Sequence, residues 1–327
     1  MNRSDHILRL LSDGRFHSGE ELAGHLGCTR SAIWKQVKQL RDQTALHIDS
    51  VTGRGYRLRR PLRLLDREQI VGRLSDSSAQ DLQACHVLGS VTSTNALALA
   101  SSPAMQGPAA AWFAEHQTEG RGRRGRTWIS PYGRNLYFSL AYRFDLPMTR
   151  LSGLSIASGA VLAGVLSRHG LQGHALKWPN DLLWQSRKLA GILLEAFGES
   201  DGPACAVIGI GVNLDLGRDA AQQIDQPAVC MREAGVDVDR NQLAGDLLDA
   251  ALQMCRRFAT HGLAPFAESW RDYDAYQGEQ VRLLGATSEL RGQCLGIADD
   301  GGLRLRVGSE TNTYYAGELS LRAAHGE

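Results

Sequence analysis

Seven consecutive residues, Gly120-Arg121-Gly122-Arg123-Arg124-Gly125-Arg126, limit the folds open to this chain more than any other feature, because no core can hold them. Their guanidinium groups demand anions or water, and their glycines leave the backbone free to turn N–H groups outward. Apolar, strand-like runs flank them on both sides, Ala109–Glu115 and Leu136–Arg143. The segment therefore reads as a loop at the end of a sheet, its arginines offering bidentate donors to a carboxylate or phosphate. Gly-Arg repeats also occur in disordered RNA-binding tails. The position between two strands favours a loop that is ordered, or becomes ordered on its ligand.

At 327 residues the chain exceeds one ordinary core, so two or three domains are expected. Charge divides it. Residues 1–63 carry 12 Lys/Arg and 6 Asp/Glu, leaving 24 and 29 of the chain's 36 and 35 for the rest. A head of net +6 on a body of net −5 implies that only the head meets a polyanion. Ile7, Leu8, Leu10 and Leu11 mark a first helix, stopped by Asp13-Gly14. Ser18 and Glu21 form a capping-box pattern opening a second. After Gly27-Cys28, Thr29 caps a third helix from Arg30 to about Asp42, with Ile33, Val37 and Leu40 on one face. His47–Val51, the turn Gly53-Arg54-Gly55 and Tyr56–Leu58 make a two-stranded wing. This is a winged helix-turn-helix pattern, whose third helix enters the major groove while the wing touches phosphates. Its candidate DNA contacts are Arg30, Ser31, Lys35, Lys38, Arg41 and Arg54. Trp34 flanks the apolar face, and the sequence leaves open whether it packs inward or meets DNA.

A linker around Pro61 and Arg63–Glu68 leads into the body. There Ala109–Glu115, Leu136–Arg143, Leu189–Phe197 and Ala206–Leu214 read as strands, and Leu151–His169 and Arg240–Thr260 as helices, an α+β domain with a mixed sheet. From about residue 277 the chain turns to short strands, Gln280–Leu284, Leu290–Ile297, Leu303–Val307 and Thr313–Leu321, with a turn at Asp299-Asp300-Gly301-Gly302. A small β-barrel is expected. The division is 1–62 for the winged head, 63–276 for the central domain and 277–327 for the barrel. No uninterrupted apolar stretch reaches the roughly 18–20 residues of a membrane span, and no signal-peptide pattern opens the chain. The six cysteines lie far apart without a C-x-x-C pair, which excludes a disulfide framework and fits a reducing cytoplasm.

Four more segments carry chemistry. Lys177-Trp178-Pro179-Asn180-Asp181 sets a cation, an amide and a carboxylate around a stiff turn. Arg187-Lys188-Leu189-Ala190-Gly191-Ile192-Leu193 starts an apolar strand with a lysine that needs an anion or the mouth of a cleft. Gly209-Ile210-Gly211-Val212-Asn213 is an apolar strand whose glycines admit a flat ring close to the backbone. Ser93-Thr94-Asn95 gathers three small donor–acceptor side chains. Each also has a plain reading: a helix cap, a packing glycine, a solvated lysine.

In this order and spacing, the four segments and the glycine–arginine loop with Trp128 resemble the bifunctional biotin–protein ligases that double as biotin operon repressors. The winged head and C-terminal barrel match as well, so the resemblance spans nearly the whole chain, apart from about 63–88 and 216–275. It implies an SH3-like C-terminal barrel and a two-step reaction. Biotin carboxylate attacks ATP to give biotinyl-5′-AMP, and a lysine of a biotin carboxyl carrier protein then takes the biotinyl group. The resemblance assigns biotin to Ser93, Thr94, Asn95, Gln117, Arg121, Gly122, Arg123, Lys188 and Gly191. It assigns nucleotide to Arg126, Trp128, Lys177, Asn180, Asn213 and Arg322. Lys188, Arg123 and Asp181 are the expected catalytic groups, with Asp181 orienting Mg²⁺ or, alternatively, anchoring a loop arginine. Operator DNA and a homodimer formed with the adenylate are the further implied partners, with no membrane. A lipoate ligase, a biotin-sensing repressor without turnover, and a ligase whose winged head is vestigial are the rival readings. The Ser-Thr-Asn set with Gln117 suits a ureido ring better than a dithiolane, and Lys188, Lys177 and Asp181 weigh against a protein without turnover.

Overall fold

The computed structural model describes residues 3–44, 46–198, 201–285, 289–317 and 319–324, without the side chains of Arg218 and Asp219. The head consists of α1 (Arg3–Leu11), α2 (Gly19–Leu26), α3 (Arg30–Thr44) and the wing strands β1 (Ile48–Val51) and β2 (Gly55–Leu58). Local chemistry sets its boundaries. Ser18 and Glu21 form the reciprocal capping box, and Gly27 ends α2 in the left-handed region at φ 58°. Ile7, Leu8, Leu11, Leu22, Ile33, Val37, Leu40 and Leu58 bury into a core of the head's own. The third helix runs to Thr44, two residues past the expected end, because the Thr44 hydroxyl donates back to the Leu40 carbonyl at 2.6 Å.

The body opens with α4 (Arg67–Val71) and α5 (Asp76–Asp81), then β3 (Leu82–Val91), α6 (Thr94–Ser101), β4 (Ala109–Gln117), β5 (Leu136–Phe144) and α7 (Leu154–Arg168). It continues through β6 (His174–Lys177), β7 (Asp181–Trp184), β8 (Arg187–Gly198), β9 (Ala204–Val212), α8 (Gly217–Ala221), α9 (Arg240–His261) and α10 (Ala267–Tyr273). Seven strands form one sheet in the order β3-β4-β5-β9-β8-β7-β6, with β3 parallel to β4 and every other pair antiparallel. Alternation along the strands builds two layers. Ala109, Ala111, Phe113, Leu136, Phe138 and Leu140 meet the buried faces of α7 and α9, whereas Ala110, Trp112, Ala141 and Val207 meet Ala98 of α6. Met148–Arg168 is long and apolar enough by composition to cross a membrane, yet most of it is buried as the central helix of this core.

The C-terminal strands are β10 (Gln280–Leu284), β11 (Glu289–Ile297), β12 (Leu303–Val307), β13 (Glu310–Tyr314) and β14 (Ser320–Ala323), an antiparallel sheet ordered β13-β12-β11-β10-β14. The single strand expected over Thr313–Leu321 is two strands, split where Leu319 N–H donates to the Ala316 carbonyl and β14 returns to β10. Val281, Leu283, Cys294, Leu303, Leu305 and Leu321 are continuous with the core of the central domain, unlike the head's separate cluster.

The head is tied down at one seam. Tyr132, from the segment after the glycine–arginine loop, is buried within the head's core. The linker is clamped by the start of α9: Arg63 pairs with Asp239 at 3.0 Å, and Asn241 takes the Asp66 N–H and donates to the Leu64 carbonyl. Arg240 is buried and reaches the carbonyls of Arg63, Gly133 and Asn135 as well as Glu115 at 2.8 Å.

Candidate functional site

A cleft open at its mouth lies over the middle of the sheet between β8, β9, the start of α6 and the Gly120–Trp128 loop.

Its polar floor begins with Ser93, which caps α6 and accepts from Ala96 N–H. The cap aims the next two side chains at the sheet. Gln117 Oε1 accepts from the Thr94 N–H at 2.9 Å and its hydroxyl at 3.2 Å. Ser139, in the middle of β5, places its hydroxyl 2.8 Å from Thr94 Oγ1 and 2.6 Å from Asn95 Oδ1. The Asn95 amide donates to Glu195 at 2.8 Å and to the Leu193 carbonyl. Its carboxamide orientation is thus set by β5 and β8 together. It also occupies the space over Gly209, where a Cβ would lie 2.1 Å from Asn95 Oδ1.

The apolar wall follows from strand register. Gly191 on β8 and Gly211 on β9 are cross-strand partners, leaving a bare patch of sheet. A flat ring does approach it, and the ring is the chain's own Trp128. A Cβ at Gly211 would stand 2.5 Å from the indole. Trp128 N–H donates to the Gly120 carbonyl at 2.8 Å, which pins the base of the loop.

The loop itself is folded. Arg121 bridges Thr127 as in a hairpin, Gly122 N–H donates to the Arg126 carbonyl at 2.7 Å, and Arg124 takes φ 59° at the tip. Arg123 turns inward. Its guanidinium donates to Asn180 Oδ1 at 3.1 Å and to the Ala316 and Gly317 carbonyls at 2.7 and 2.9 Å, joining loop, central sheet and C-terminal domain. Burial lowers its pKa, opposed by the nearby Asp181 carboxylate. Asn180 in turn donates to the Ile192 carbonyl, fixing the turn before β7 against β8.

Lys188 supplies the cation of the cleft. Its ammonium lies 2.7 Å from Asp181 Oδ1 and 5.5 Å from the centre of the Trp128 ring. Both side chains are largely shielded from solvent, which strengthens the ion pair. Asp181 holds Lys188 and lies close enough to the loop's Arg123 for its charge to act on that guanidinium. Among the described residues no three His, Cys, Asp or Glu side chains converge as a metal site.

The structure thus gathers Ser93, Thr94, Asn95, Gln117, Arg121, Gly122, Arg123, Trp128, Asn180, Lys188 and Gly191 around one cleft. Arg126, Lys177, Asn213 and Arg322 do not line it. Arg126 leans toward Gln226, and Lys177 is buried at the end of β6. Asn213 is buried too, donating to the Val229 carbonyl at 3.2 Å and holding the segment that runs beside Lys188. Arg322 lies in β14, opposite Arg282. Ser139 and Glu195 were missed by sequence. Their only signal is a polar residue inside an apolar strand, LYFSLAYRF and KLAGILLEAF.

On the head, Arg30, Ser31, Lys35, Lys38 and Arg54 are exposed. Arg41 is not: its guanidinium donates twice to the Ile48 carbonyl, bracing the wing against α3, and this withdraws it from the solvent face.

Comparison with known proteins agrees with this architecture. Residues 88–213 match the biotin/lipoate A/B protein ligase family, residues 3–57 an HTH domain and residues 276–322 the biotin protein ligase C-terminal domain. The chain is 38% identical over 318 residues to the bifunctional ligase/repressor BirA of Escherichia coli, covering 97% of each protein. It is 32% identical over 310 residues to the protein of that name from Bacillus subtilis, covering 94% of each. Among solved structures it resembles a biotin protein ligase from Aquifex aeolicus in complex with biotin and ATP. That likeness has TM-score 0.62 and 27% identity, covering 74% of this chain and all of the other.

Proposed function

We propose, from the premise that the chain belongs to the biotin protein ligase family and within it to the ligase/repressor type, that the cleft over β8 and β9 activates biotin and hands it to a protein lysine. The protein is an ATP-dependent biotin ligase whose winged head binds DNA as a repressor. In the first step a carboxylate oxygen of biotin attacks the α-phosphorus of ATP, the bond to the bridging oxygen breaks, and pyrophosphate leaves. In the second, the neutral amine of a lysine on the biotin carboxyl carrier protein attacks the acyl carbon of biotinyl-5′-AMP. The acyl–oxygen bond breaks, AMP leaves, and the amine's proton passes to solvent.

Attacking group and target are both anionic in the first step, so a fixed cation between them decides the rate. Lys188 is that cation, and its pairing with Asp181 at 2.7 Å is the observation that carries the proposal. A charge-assisted hydrogen bond contributes roughly 1.5–3 kcal/mol. Held in place beforehand, such a donor accelerates a reaction by about 10²–10³. Thr94, Asn95 and Gln117 face the ureido ring, whose mix of donors and acceptors the floor complements. Gly191 and Trp128 give the apolar wall, and Arg121–Arg123 close over it. Arg126, Trp128, Lys177, Asn180, Asn213 and Arg322 are our assignment for the nucleotide side. Asn213 acts there through the backbone it holds. Asp181, beside Lys188, remains our assignment for orienting magnesium, which would enter with the triphosphate that supplies most of its ligands.

Adenylate ordering of the Gly120–Trp128 loop extends the surface on which two copies pair, and two heads then read two half-sites. We keep the domain limits at 1–62, 63–276 and 277–327 and place the protein in the cytoplasm, where ATP, carrier protein and DNA meet. Incubation with biotin, MgATP labelled at the α-phosphate and a carrier domain should yield labelled biotinyl-AMP and then biotinylated carrier. Absence of both products would sink the ligase reading. Sedimentation with and without biotin and ATP tests the dimer.

A further inference from the structure

The outward side of α3 offers DNA only a short inventory of chemistry, and one member of it has no role yet. Arg41, which charge alone assigns to DNA, spends its guanidinium on the Ile48 carbonyl. Arg30 leans back over the start of α2, its Nε 3.7 Å from the position a Cβ would take on Gly19. The Ser31 hydroxyl lies 2.9 Å from that of Thr29, within the capping turn. Lys35 and Lys38 are exposed, flexible point charges, suited to phosphates and poor at distinguishing bases.

That leaves Trp34. It is 55% exposed, in the second turn of the helix, about a quarter-turn away from the buried stripe of Ile33, Val37 and Leu40. Its indole is stiff, flat and apolar, with Lys38 Nζ 5.9 Å from the ring centre and no acidic residue in the helix's first turn. An apolar partner protein would have to bury those cations along with the ring. Duplex DNA takes both, because the phosphates accept the lysines while the major groove presents one apolar group, the thymine C5-methyl. The early turns of a recognition helix are the part that reaches base edges.

We propose that Trp34 is the specificity-determining residue of the head, packing its indole against a thymine methyl while Lys35 and Lys38 hold the flanking phosphates. This rests on the reading of the head as a DNA-binding module. The test is selection from a random duplex pool by the full chain, supplied with biotin and MgATP, in wild-type and Trp34→Ala forms. The winning duplex is then titrated with both proteins, intact and with each thymine in turn replaced by uracil. Wild type should lose about tenfold at one or two of those replacements, the usual size of one base pair's discrimination. Trp34→Ala should bind the intact duplex about tenfold more weakly and be indifferent to the same replacements. Trp34→Phe should recover part of the thymine preference. Unchanged helical content and melting of Trp34→Ala would tie these effects to the ring. Equal responses of the two proteins to uracil, or identical selected motifs, overturn the proposal. So does a loss in Trp34→Ala that is uniform across all duplexes, which would put the ring on the backbone. If wild type enriches no motif at all, the DNA reading of the head falls, and this inference with it.

Discussion

In the cleft, Arg123 divides its guanidinium among Asn180, Ala316 and Gly317, and Lys188 stands 2.7 Å from Asp181. On the head, Lys35 and Lys38 stand in solvent. Both regions are built to receive phosphate, but they spend their cations differently. A reacting phosphorus needs charge already fixed where charge develops, since a side chain that must first reorganise gives back part of what it stabilises. A duplex backbone needs only a sum of charges, and its affinity comes from released counterions whatever the sequence. On the roles proposed for the two regions, the same residue types serve catalysis when pinned by neighbours and non-specific attraction when exposed. Arg41 shows that the surroundings decide which: it lies on the DNA-binding helix yet is pinned to the wing.

The largest effect is expected at the seam between head and body. Arg240→Ala removes the partner of Glu115, a carboxylate 4% exposed that would be left facing Leu65 N–H alone. Truncating one member of a buried pair costs about 3–5 kcal/mol. The variant should melt well below wild type, and limited proteolysis should open the linker first. Second is Lys188→Ala. Adenylate formation should fall by about 10²–10³, read with labelled ATP, while DNA affinity in the absence of ligand stays put. A proportional loss of both would show that the two regions are not separable as drawn. Third is Gly211→Ala, whose new methyl meets the Trp128 ring. Overpacking of this kind costs about 1–3 kcal/mol, or the indole moves and takes the loop with it. Melting separates the first outcome, and a raised KM for biotin the second.

How far these regions could be read in advance follows the range of the interactions that make them. The capping box of α2 is complete within four residues, so Ser18 and Glu21 announce it. The loop at Gly120–Arg126 is legible because no alternative burial exists for its side chains. Ser139 and Glu195 were invisible for the opposite reason. Their partners, Thr94 and Asn95, lie some 45 to 100 positions away, and only the pairing of β5, β9 and β8 brings them under α6. Helical spacing placed Arg41 with Lys38 on the solvent side because it carries no knowledge of the Ile48 carbonyl. Gly211 was read rightly as admitting a flat ring, but whether that ring belonged to ligand or protein depended on where Trp128 falls after the loop closes. The pairing of Lys188 with Asp181 was half legible: both residues stood out, and the turn after β6 and the register of β7 against β8 supplied the contact.

The smallest effect sharpens the comparison most. Lys38 is exposed and touches only the Trp34 ring at 5.9 Å among the contacts described for it, so its removal should leave the melting temperature unchanged. If it neutralises one phosphate, Lys38→Ala weakens binding evenly over all sequences. It also lowers the slope of log affinity against log salt by about 1. Trp34→Ala, one turn earlier on the helix, should do the reverse, altering sequence preference at an unchanged salt slope. The two variants measured together over a salt series therefore divide the head's surface into a part that attracts and a part that reads. If the slope falls for Trp34→Ala and holds for Lys38→Ala, the division of labour on α3 has been assigned backwards. The contrast with the cleft would then rest on Lys188 and Arg123 alone.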